Sequence, residues 1–350
     1  MRSEERDRAP RVLHVTECYG GGVGRAVDNV ARLLPDAEHH LLWRGDDVAD
    51  LDRGFSSLTA LPRFIPAAIM AVRQAVRAVE PDVVFAHSSW AGVFARILPV
   101  GVPVVYQPHC YKFDDSEQNP LVRRGYFLAE RALARRTDVT VVLSPHEEAL
   151  AKSLGRSMRT EFVPNSATLL PSDPDHGARF EIDQTVVMNG RIAPQKDPEF
   201  FAAVARAVTR QRPSVRFKWI GDGDAVLREV LEDAGVEVTG WVSGDQLAAI
   251  LTLPALYFHS ARYEGFPLSI LDAAAFEHAI AVRSIPAYAG LPIPQADSVH
   301  EAAMLIERIL DDDMERQRAE RAAAFLNETM SEQVQRDALS RLLAPYGVNA

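Results

Sequence analysis

Short apolar runs alternate with amphipathic segments along most of this 350-residue chain. In the first half, the runs have the length of strands, whereas the segments between them repeat apolar residues every three to four positions, as one face of a helix does. The clearest repeat runs from Ile65 to Val79 and ends before Pro81, which cannot continue a helix. The predicted strands of this half are residues 11–16, 40–43, 82–87, 103–107 and 139–144, and the predicted helices cover 23–34, 65–79, 91–98, 120–136 and 146–154.

A polar stretch interrupts the alternation near the middle of the chain. Residues 164–184 contain three prolines, three aspartates and a glycine, which is typical of a linker. The alternation then resumes and continues almost to the end. Its predicted strands are residues 186–189, 216–221, 237–239, 256–259 and 279–283, and its predicted helices cover 198–210, 225–234, 245–251, 268–276, 302–310, 315–325 and 331–343.

Apolar strands that alternate with helices predict an α/β protein whose parallel sheets are covered by helices on both faces. Two such runs joined by a linker predict two Rossmann-like domains that face a cleft, with ligands at the carboxyl ends of the strands. We expect an N-terminal domain at 11–168 and a C-terminal domain at 182–328. Residues 1–10 are predicted to be a flexible tail and 169–181 a linker, and a final helix at 331–345 is expected to pack back on the first domain.

Composition narrows the class of protein. Apolar residues make up 47% of the chain and charged residues 25%, as in soluble globular proteins. Two cysteines exclude a disulfide scaffold and a four-cysteine zinc site, and a net charge of −10 argues against nucleic-acid binding. We find neither a signal peptide nor a run of about 18 apolar residues. These features predict a cytoplasmic protein.

The loop from Gly190 to Lys196 is the strongest chemical signal. It follows a predicted strand and carries Arg191 and Lys196 five positions apart. Two fixed cations suit a diphosphate leaving group, because its negative charge grows as its bond to a sugar breaks. No metal site is predicted.

Further loops follow the next strands of the second half. Gly221 lies in a strand-to-helix turn, and Trp241 and Val242 follow a short strand. Glu264 precedes a helix that carries Asp272 eight positions later, so two carboxylates are expected to face one cleft and bind sugar or ribose hydroxyls. The backbone amides that open this helix are expected to hold phosphate oxygens; they belong to Gly265, Phe266, Pro267 and Leu268, of which the proline contributes no N–H.

A glycine-rich loop lies between the first strand and the first helix. Gly21 and Gly22 would allow a phosphate to approach the backbone at a helix N-terminus. The loop does not fit the dinucleotide pattern G-x-G-x-x-G, since Arg25 stands at the third glycine. A tight turn without a ligand explains the glycines equally well.

Together these motifs resemble the retaining GT-B glycosyltransferases, specifically family 4. The resemblance rests on the order of the glycine-rich loop, Gly-Arg-x₄-Lys, Gly-Asp-Gly, Gly-Trp-Val and Glu-Gly-Phe-x₅-Asp, and it covers roughly residues 11–343. It implies the GT-B architecture and a metal-independent transfer of sugar from a nucleotide sugar to an acceptor hydroxyl, with retention of the anomeric configuration. The departing diphosphate would itself accept the acceptor's proton.

The resemblance also implies roles for individual residues. His109, Glu264, Arg191 and Lys196 match the catalytic positions, His109 beside the reacting sugar. The other matches are to donor-binding positions: Gly21 and Gly22 at the diphosphate, Gly221 and the Gly265–Leu268 loop in the donor site, Trp241 and Val242 at the base, and Asp272 at the ribose, where the family has Glu. The donor is expected to be a UDP-sugar rather than a GDP-sugar, with no further cofactor. The acceptor is a small molecule, a glycan or a lipid-linked sugar.

Several alternatives stay open at this point. An NDP-sugar 2-epimerase has a similar two-domain architecture, and the shorter Asp272 also fits a non-catalytic nucleotide-sugar binder. Asp222 and Asp224 imitate a metal-binding Asp-x-Asp, although their place after a strand favours a structural turn. His87 fits either an acceptor contact or a satisfied histidine at a strand end. The arginine-rich helix at 120–136 fits a core-facing helix better than peripheral contact with the inner membrane face, which stays open.

Overall fold

The computed structural model describes residues 8–45, 54–155, 157–172 and 184–348. These residues form two compact units. One unit runs to Pro164 and resumes at Glu332, and the other spans Asn165–Ser331. No helix among the described residues is long and apolar enough to cross a membrane.

The first unit is built on a seven-stranded, wholly parallel sheet. Its strands are β1 (Arg11–Thr16), β2 (Glu38–Trp43), β3 (Ser57–Ala60), β4 (Val83–His87), β5 (Val104–Gln107), β6 (Val139–Val142) and β7 (Thr160–Phe162), in the order β3-β2-β1-β4-β5-β6-β7. The strand order reverses between β1 and β4, so the loops at the carboxyl ends of these strands diverge there. In α/β sheets this is where a ligand crevice opens.

Helices cover both faces of this sheet. They are α1 (Gly21–Leu33), α2 (Ile65–Val79), α3 (Ser89–Arg96), α4 (Pro120–Leu133), α5 (Pro145–Leu154) and α12 (Glu332–Leu343). Side chains alternate between the two faces, because successive residues of a strand point in opposite directions. Leu13 and Val84 pack with α2 and α3, whereas Val12 and Val83 pack with α1 and α12.

Helix α12 lies beside α1 on the sheet face that carries Val12 and Val83. Its residues Leu339 and Leu342 are buried against Val12 and Val83 of the sheet. The side chain of Asn29 donates a hydrogen bond to Gln335 (2.8 Å), and both residues are buried. The chain therefore returns to its first unit after completing the second.

The second unit contains a six-stranded parallel sheet. Its strands are β8 (Thr185–Asn189), β9 (Arg216–Ile220), β10 (Glu237–Val238), β11 (Leu256–His259), β12 (Ala279–Arg283) and β13 (Gln295–Ala296), in the order β10-β9-β8-β11-β12-β13. Its helices are α6 (Pro198–Gln211), α7 (Ala225–Glu232), α8 (Gly244–Leu251), α9 (Leu268–Ala275), α10 (Val299–Asp311) and α11 (Asp313–Thr329). The expected α/β class with two parallel sheets is confirmed.

The boundary between the units lies earlier than the sequence suggests. Residues 165–168, expected in the first domain, belong to the second unit. Two polar contacts hold them there: Asn165 donates to the carbonyl of Phe266 (2.9 Å), and the N–H of Thr168 donates to Asp272 (2.9 Å). Most of the linker expected at 169–181, and residues 1–7 of the expected tail, lie outside the described residues.

Candidate functional site

Three loops at the carboxyl edge of the second sheet are joined by backbone contacts. Isolated bridges link Ile192 with Gly223 and Gly221 with Gly240. A Cβ atom on Gly221 would lie 2.3 Å from the carbonyl oxygen of Gly190, and one on Gly223 would lie 2.1 Å from that of Ile192. No side chain fits at such distances, so the glycines allow the loops after β8, β9 and β10 to meet.

The loop after β8 also binds the loop after β11. The hydroxyl of Ser260 donates to the carbonyl of Lys196 (2.7 Å), and the N–H of Arg262 donates to the carbonyl of Gln195 (2.9 Å). These contacts fix the positions of the two loops that carry Lys196 and Glu264. As a result, Lys196 and Glu264 form an ion pair although they are 68 positions apart in the chain.

The Lys196–Glu264 pair lies largely out of solvent, with side chains 17% and 8% exposed respectively. Gln195 donates to the second oxygen of Glu264 (3.4 Å), and Nε2 of His259 lies 3.5 Å from its first oxygen. Burial alone would raise the pKa of Glu264, but Lys196 and His259 outweigh it and hold the pKa below its ordinary value. The carboxyl is therefore ionised at pH 7 and its charge is balanced by the ammonium.

His259 does not add a second positive charge to this pair. Burial lowers the pKa of His259 to about 4, so its ring is neutral at pH 7. Its other nitrogen, Nδ1, lies 3.2 Å from the hydroxyl of Tyr257. The site thus has one half-buried ammonium, one buried carboxylate and a neutral polar ring.

Arg191 contrasts with Lys196 in its surroundings. Its side chain is exposed and makes no hydrogen bond or ion pair with any residue that the structure describes. It follows β8 directly, so its backbone is fixed by the strand and by the contact between Gly190 and Gly221. A guanidinium placed in this way is available to an anion.

The segment after Glu264 turns directly into α9. Pro267 is the N-cap of this helix, and no side chain caps it. Phe266 is buried edge-on against the ring of Tyr288, with ring centroids 5.8 Å apart, and Gly265 and Leu268 are also buried. The first-turn amides of α9 therefore lie in a fixed loop, where a helix N-terminus favours an anion.

Asp272 has a structural contact in this site. The residue is completely buried, and its Oδ1 accepts from the N–H groups of Thr168 and Leu169 (2.9 and 3.1 Å). The carboxylate thereby fastens the segment that opens the second unit to α9. The ribose contact implied by the family resemblance stays a prediction, because this oxygen is already engaged.

Trp241 and Val242 follow β10 at the rim of the same edge. The indole of Trp241 is 65% exposed, and Val242 is half-buried. The exposed aromatic face of Trp241 offers a stacking surface beside the loop cluster. Their proposed contact with a base stays a prediction.

The Asp222–Asp224 pair has structural partners. Asp224 caps α7 by accepting from Val226 and Leu227 (2.9 and 3.1 Å), and Asp222 forms an ion pair with Arg228 (2.9 Å). These contacts agree with the structural-turn interpretation. Within the described ranges, no group of three or more His, Cys, Asp or Glu side chains is arranged to hold a metal ion.

One charged cluster beside the site was not foreseen from the sequence. Asp197, the N-cap of α6, is buried and binds both Arg262 (2.8 Å) and Arg283 (2.5 Å). Burial would raise the pKa of Asp197, but the two guanidinium groups lower it. The cluster joins the loops after β8 and β11 to the last residue of β12. The Lys-Asp-Pro sequence before a helix is the signal that could have indicated it.

In the first unit, the glycine-rich loop opens α1. Gly21 and Gly22 are the first two residues of this helix and are exposed, and Gly20 caps it without a side chain. No acidic residue lies in the first turn. The N-terminus of α1 is therefore open toward an anion, as the interpretation of this loop requires.

His109 lies directly after β5 on the carboxyl edge of the first sheet. It has a left-handed backbone conformation (φ 54°), and its ring is half-buried. Its Nε2 lies 3.4 Å from Nδ1 of His87, whose ring is completely buried. Burial lowers the pKa of His109 to about 4, so the ring is neutral at pH 7. His87 is accordingly a satisfied histidine, since its other nitrogen contacts His14 (3.1 Å).

Family models match both halves of the chain. A model described as glycosyl transferase 4-like domain matches residues 21–166, and one described as glycosyl transferases group 1 matches residues 183–312. The alpha-D-kanosaminyltransferase of Streptomyces kanamyceticus is 26% identical over 277 residues, which cover 69% of this chain and 71% of that protein. An Escherichia coli enzyme, UDP-Gal:alpha-D-GlcNAc-diphosphoundecaprenol alpha-1,3-galactosyltransferase, is 25% identical over 217 residues, or 55% of each chain.

Solved structures with this fold cover nearly the whole chain. A sucrose-phosphate synthase from Thermosynechococcus elongatus superposes with a TM-score of 0.77 at 16% identity, over 96% of this chain and 99% of that one. Anabaena HepE, solved with UDP and glucose, gives 0.78 at 15% identity, over 96% and 100%. A UDP-N-acetylglucosamine 2-epimerase gives 0.64 at 12% identity, over 97% of each chain. These likenesses establish the shared two-unit fold.

Proposed function

This chain belongs to the glycosyltransferases of the GT-B fold, with a 4-like domain in its first half and a group 1 domain in its second, and on that premise we propose a specific reaction. The enzyme transfers a sugar from a UDP-sugar to an acceptor hydroxyl, retains the anomeric configuration and needs no metal ion. The second unit binds the donor, and the first unit binds the acceptor. The 2-epimerase alternative shares only the fold, whereas both family models and the curated relatives are transferases.

The Lys196–Glu264 pair is the observation that carries this proposal. A half-buried ammonium held by a carboxylate lies in the same loop cluster as the exposed Arg191 and the start of α9, which no side chain caps. In the proposed reaction, Lys196, Arg191 and the α9 amides bind the diphosphate and stabilise the charge that develops on it. Glu264 binds hydroxyls of the donor sugar, and Asp272 and Trp241 lie on the ribose and base side.

The first unit supplies the remaining groups of the proposal. In this proposal we expect the N-terminus of α1, with Gly21 and Gly22, to bind the diphosphate and His109 to orient the reacting sugar. The departing diphosphate accepts the acceptor's proton on the face it leaves, so that retention needs no covalent enzyme intermediate. The positive charge that the reaction requires comes from Arg191 and Lys196.

Two kinds of similarity support the choice of donor and acceptor. HepE was solved with UDP, and the E. coli relative uses UDP-Gal, which favours a UDP-sugar over a GDP-sugar. The acceptors named for the relatives include a diphosphoundecaprenol-linked sugar and, for the gpi3 relative of Schizosaccharomyces pombe, phosphatidylinositol. A lipid-linked sugar, a glycan or a small molecule is therefore the proposed acceptor class.

Nucleotide binding is the first measurement that checks this proposal. UDP and a matching UDP-sugar should raise the melting temperature of the protein, because a ligand at 100 times its Kd stabilises the folded state by about 2.7 kcal/mol. GDP and uridine serve as matched controls for the base and the diphosphate. If neither UDP nor any UDP-sugar changes the melting temperature, the donor assignment is wrong. Two separate measurements test the rest of the proposal: NMR of the anomeric proton of the product tests retention, and activity after EDTA treatment tests metal independence.

Peripheral membrane contact gains support from α4. Helix α4 contacts the core through the partly buried Phe127, as the core-facing interpretation expects, but Glu130 is its only fully buried residue among those described. Glu130 binds Arg96 and Tyr106 (2.9 Å each), and this polar anchor leaves Leu121 80% and Leu128 51% exposed. Exposed leucines beside exposed arginines are typical of a helix that lies on anionic lipid; the arginines are Arg124, Arg131 and Arg135.

Vesicle sedimentation tests the membrane proposal. The wild type should bind phosphatidylglycerol vesicles at low salt, and a Leu121→Ser/Leu128→Ser double variant should bind at least about 10-fold more weakly, since burial of one leucine is worth about 1.5–3 kcal/mol. Leu253→Ser is the matched control, because Leu253 is 61% exposed and lies in the second unit. Equal binding by the wild type and the double variant would remove α4 from the contact.

A further inference from the structure

Four histidines form a continuous line of ring contacts within the first unit. Nε2 of His39 lies 2.9 Å from the carbonyl oxygen of Leu34, and Nδ1 of His39 lies 2.9 Å from Nε2 of His14. Nδ1 of His14 lies 3.1 Å from Nε2 of His87, and Nδ1 of His87 lies 3.4 Å from Nε2 of His109. We call this line, from His39 through His14 and His87 to His109, the histidine chain.

The parallel register explains why these rings meet. His14 lies on β1 between its neighbours β2 and β4, which carry His39 and His87. All three alternate with residues of the opposite face, so their rings share the face that α1 and α12 cover. Three of the four rings in the histidine chain are almost fully buried: His14 and His87 are 0% exposed and His39 is 2% exposed.

The carbonyl of Leu34 sets the direction of every hydrogen bond in the histidine chain. A carbonyl oxygen only accepts, so the contact requires a proton on Nε2 of His39. If His39 is neutral, its Nδ1 is then an acceptor, and His14 must carry its proton on Nε2 to donate to it. The same requirement passes from His14 to His87 and from His87 to His109.

Burial keeps the rings in this neutral state. It lowers the pKa of His14 and of His87 well below the ordinary histidine value, and it also lowers the pKa of His39. A neutral imidazole has one donor and one acceptor nitrogen, and which is which depends on the hydrogen bonds it makes. Gln107 is a further side-chain partner of His87. Phe85 stacks on His14 and His87 and holds the rings in place.

We propose that the histidine chain positions His109 as a single tautomer, with the proton on Nε2 and Nδ1 presented as a hydrogen-bond acceptor. Nδ1 of His109 has no hydrogen-bond partner in the part of the chain that the structure describes. A ligand hydroxyl can donate to this nitrogen, whereas a ligand oxygen without a proton gains nothing from it. His39, His14 and His87 are accordingly positioning residues, and only His109 meets the ligand.

The kinetic consequence rests on the proposed function, whereas the tautomer does not. In sugar transfer, an acceptor nitrogen selects the orientation in which a sugar hydroxyl points at His109. A ring with the opposite tautomer would present an N–H there and reject that orientation. An interruption of the histidine chain should therefore lower kcat more than it changes KM for the donor.

The tautomer can be read directly in the wild-type protein without substrate. Long-range ¹H–¹⁵N correlation spectra of protein labelled with ¹⁵N-histidine distinguish protonated from unprotonated ring nitrogens, and the His109→Phe variant assigns the signals of His109. We expect a protonated Nε2 and an unprotonated Nδ1 at neutral pH. A protonated Nδ1 on His109 would overturn the proposal, whatever the enzyme's activity.

A matched pair of variants tests the role of the chain. His14→Phe cuts the chain while filling the space, and His40→Phe replaces a neighbouring histidine that lies outside it and contacts Ser57 (2.8 Å). His14→Phe should give His109 signals of both tautomers and about 10-fold lower kcat, and His40→Phe should change neither. A folded His14→Phe protein with an unchanged His109 tautomer would contradict the proposal, and if that variant does not fold, the wild-type spectrum decides.

Discussion

Lys196→Ala is expected to lower kcat for sugar transfer by about 10²-fold or more, because removal of one preorganised charge stabiliser costs about that much in other enzymes. The ammonium of Lys196 is mostly shielded from solvent and is held by Glu264. In the proposed reaction its position is therefore set before the diphosphate charge develops. Steady-state kinetics with saturating donor measure the effect.

The second lysine of the same unit supplies the control. Lys218 pairs with Glu237 (3.2 Å), which is 65% exposed, and an ion pair that solvent reaches in this way contributes little to stability. Lys218→Ala should therefore keep near-normal kcat. Because Lys196→Ala leaves a buried carboxylate unpaired, thermal unfolding must show that the variant is folded at the assay temperature. Near-normal turnover by folded Lys196→Ala would exclude the diphosphate role.

Glu264→Ala is expected to lower kcat by about 10²-fold or more, yet to leave UDP affinity unchanged or higher. Glu264 is proposed to hold the donor sugar in place, and a misplacement of about 1 Å can cost about 10²-fold in rate. UDP affinity should persist because the change removes a negative charge that competes with the diphosphate for Lys196. Calorimetric titration with UDP and steady-state kinetics measure the two quantities.

The Lys196→Ala/Glu264→Ala double variant separates a catalytic pair from a structural one. Residues that act together in a site show strongly non-additive effects, so the double variant should be little slower than the slower single variant. Glu264→Gln keeps the shape and the hydrogen bond from Gln195 but removes the charge. Equal losses of kcat and UDP affinity in Glu264→Ala would mean that Glu264 merely supports the fold.

The periodicity of the sequence predicted the central strands and nearly all the helices, because they are buried on one or both faces. The strands β11 and β12 agree residue by residue with their predicted ranges. The periodicity did not predict β3 and β7, the two edge strands of the first sheet, or β13, an edge strand of the second. An edge strand pairs on one side only, so its side chains need not be apolar: three of the four residues of β3 are exposed.

The candidate site could be predicted where one loop carries the chemistry, and not where distant loops share it. Arg191 and Lys196 stand on one short loop, so their spacing alone pointed to an anion. The partners of Asp272 could not be foreseen, because nothing in the spacing of the sequence indicates that Thr168 would come back to meet α9. The same holds for Asp197 and its two arginines, and for the histidine chain, which depends on the register of three strands.

Helix α12 has a consequence for the way this protein is made. The sheet face formed by Val12, Val83 and their neighbours is completed by Leu339 and Leu342, which the ribosome adds only after the whole second unit. The unit whose synthesis begins first is therefore completed last. Its apolar sheet face is not fully covered until more than 150 further residues have been synthesised. An expression clone that stops at Pro164 would keep α1 on this face of the sheet but would lack the apolar residues of α12 that complete it. A usable isolated first unit would have to carry residues 332–348 as a fused or separately supplied segment.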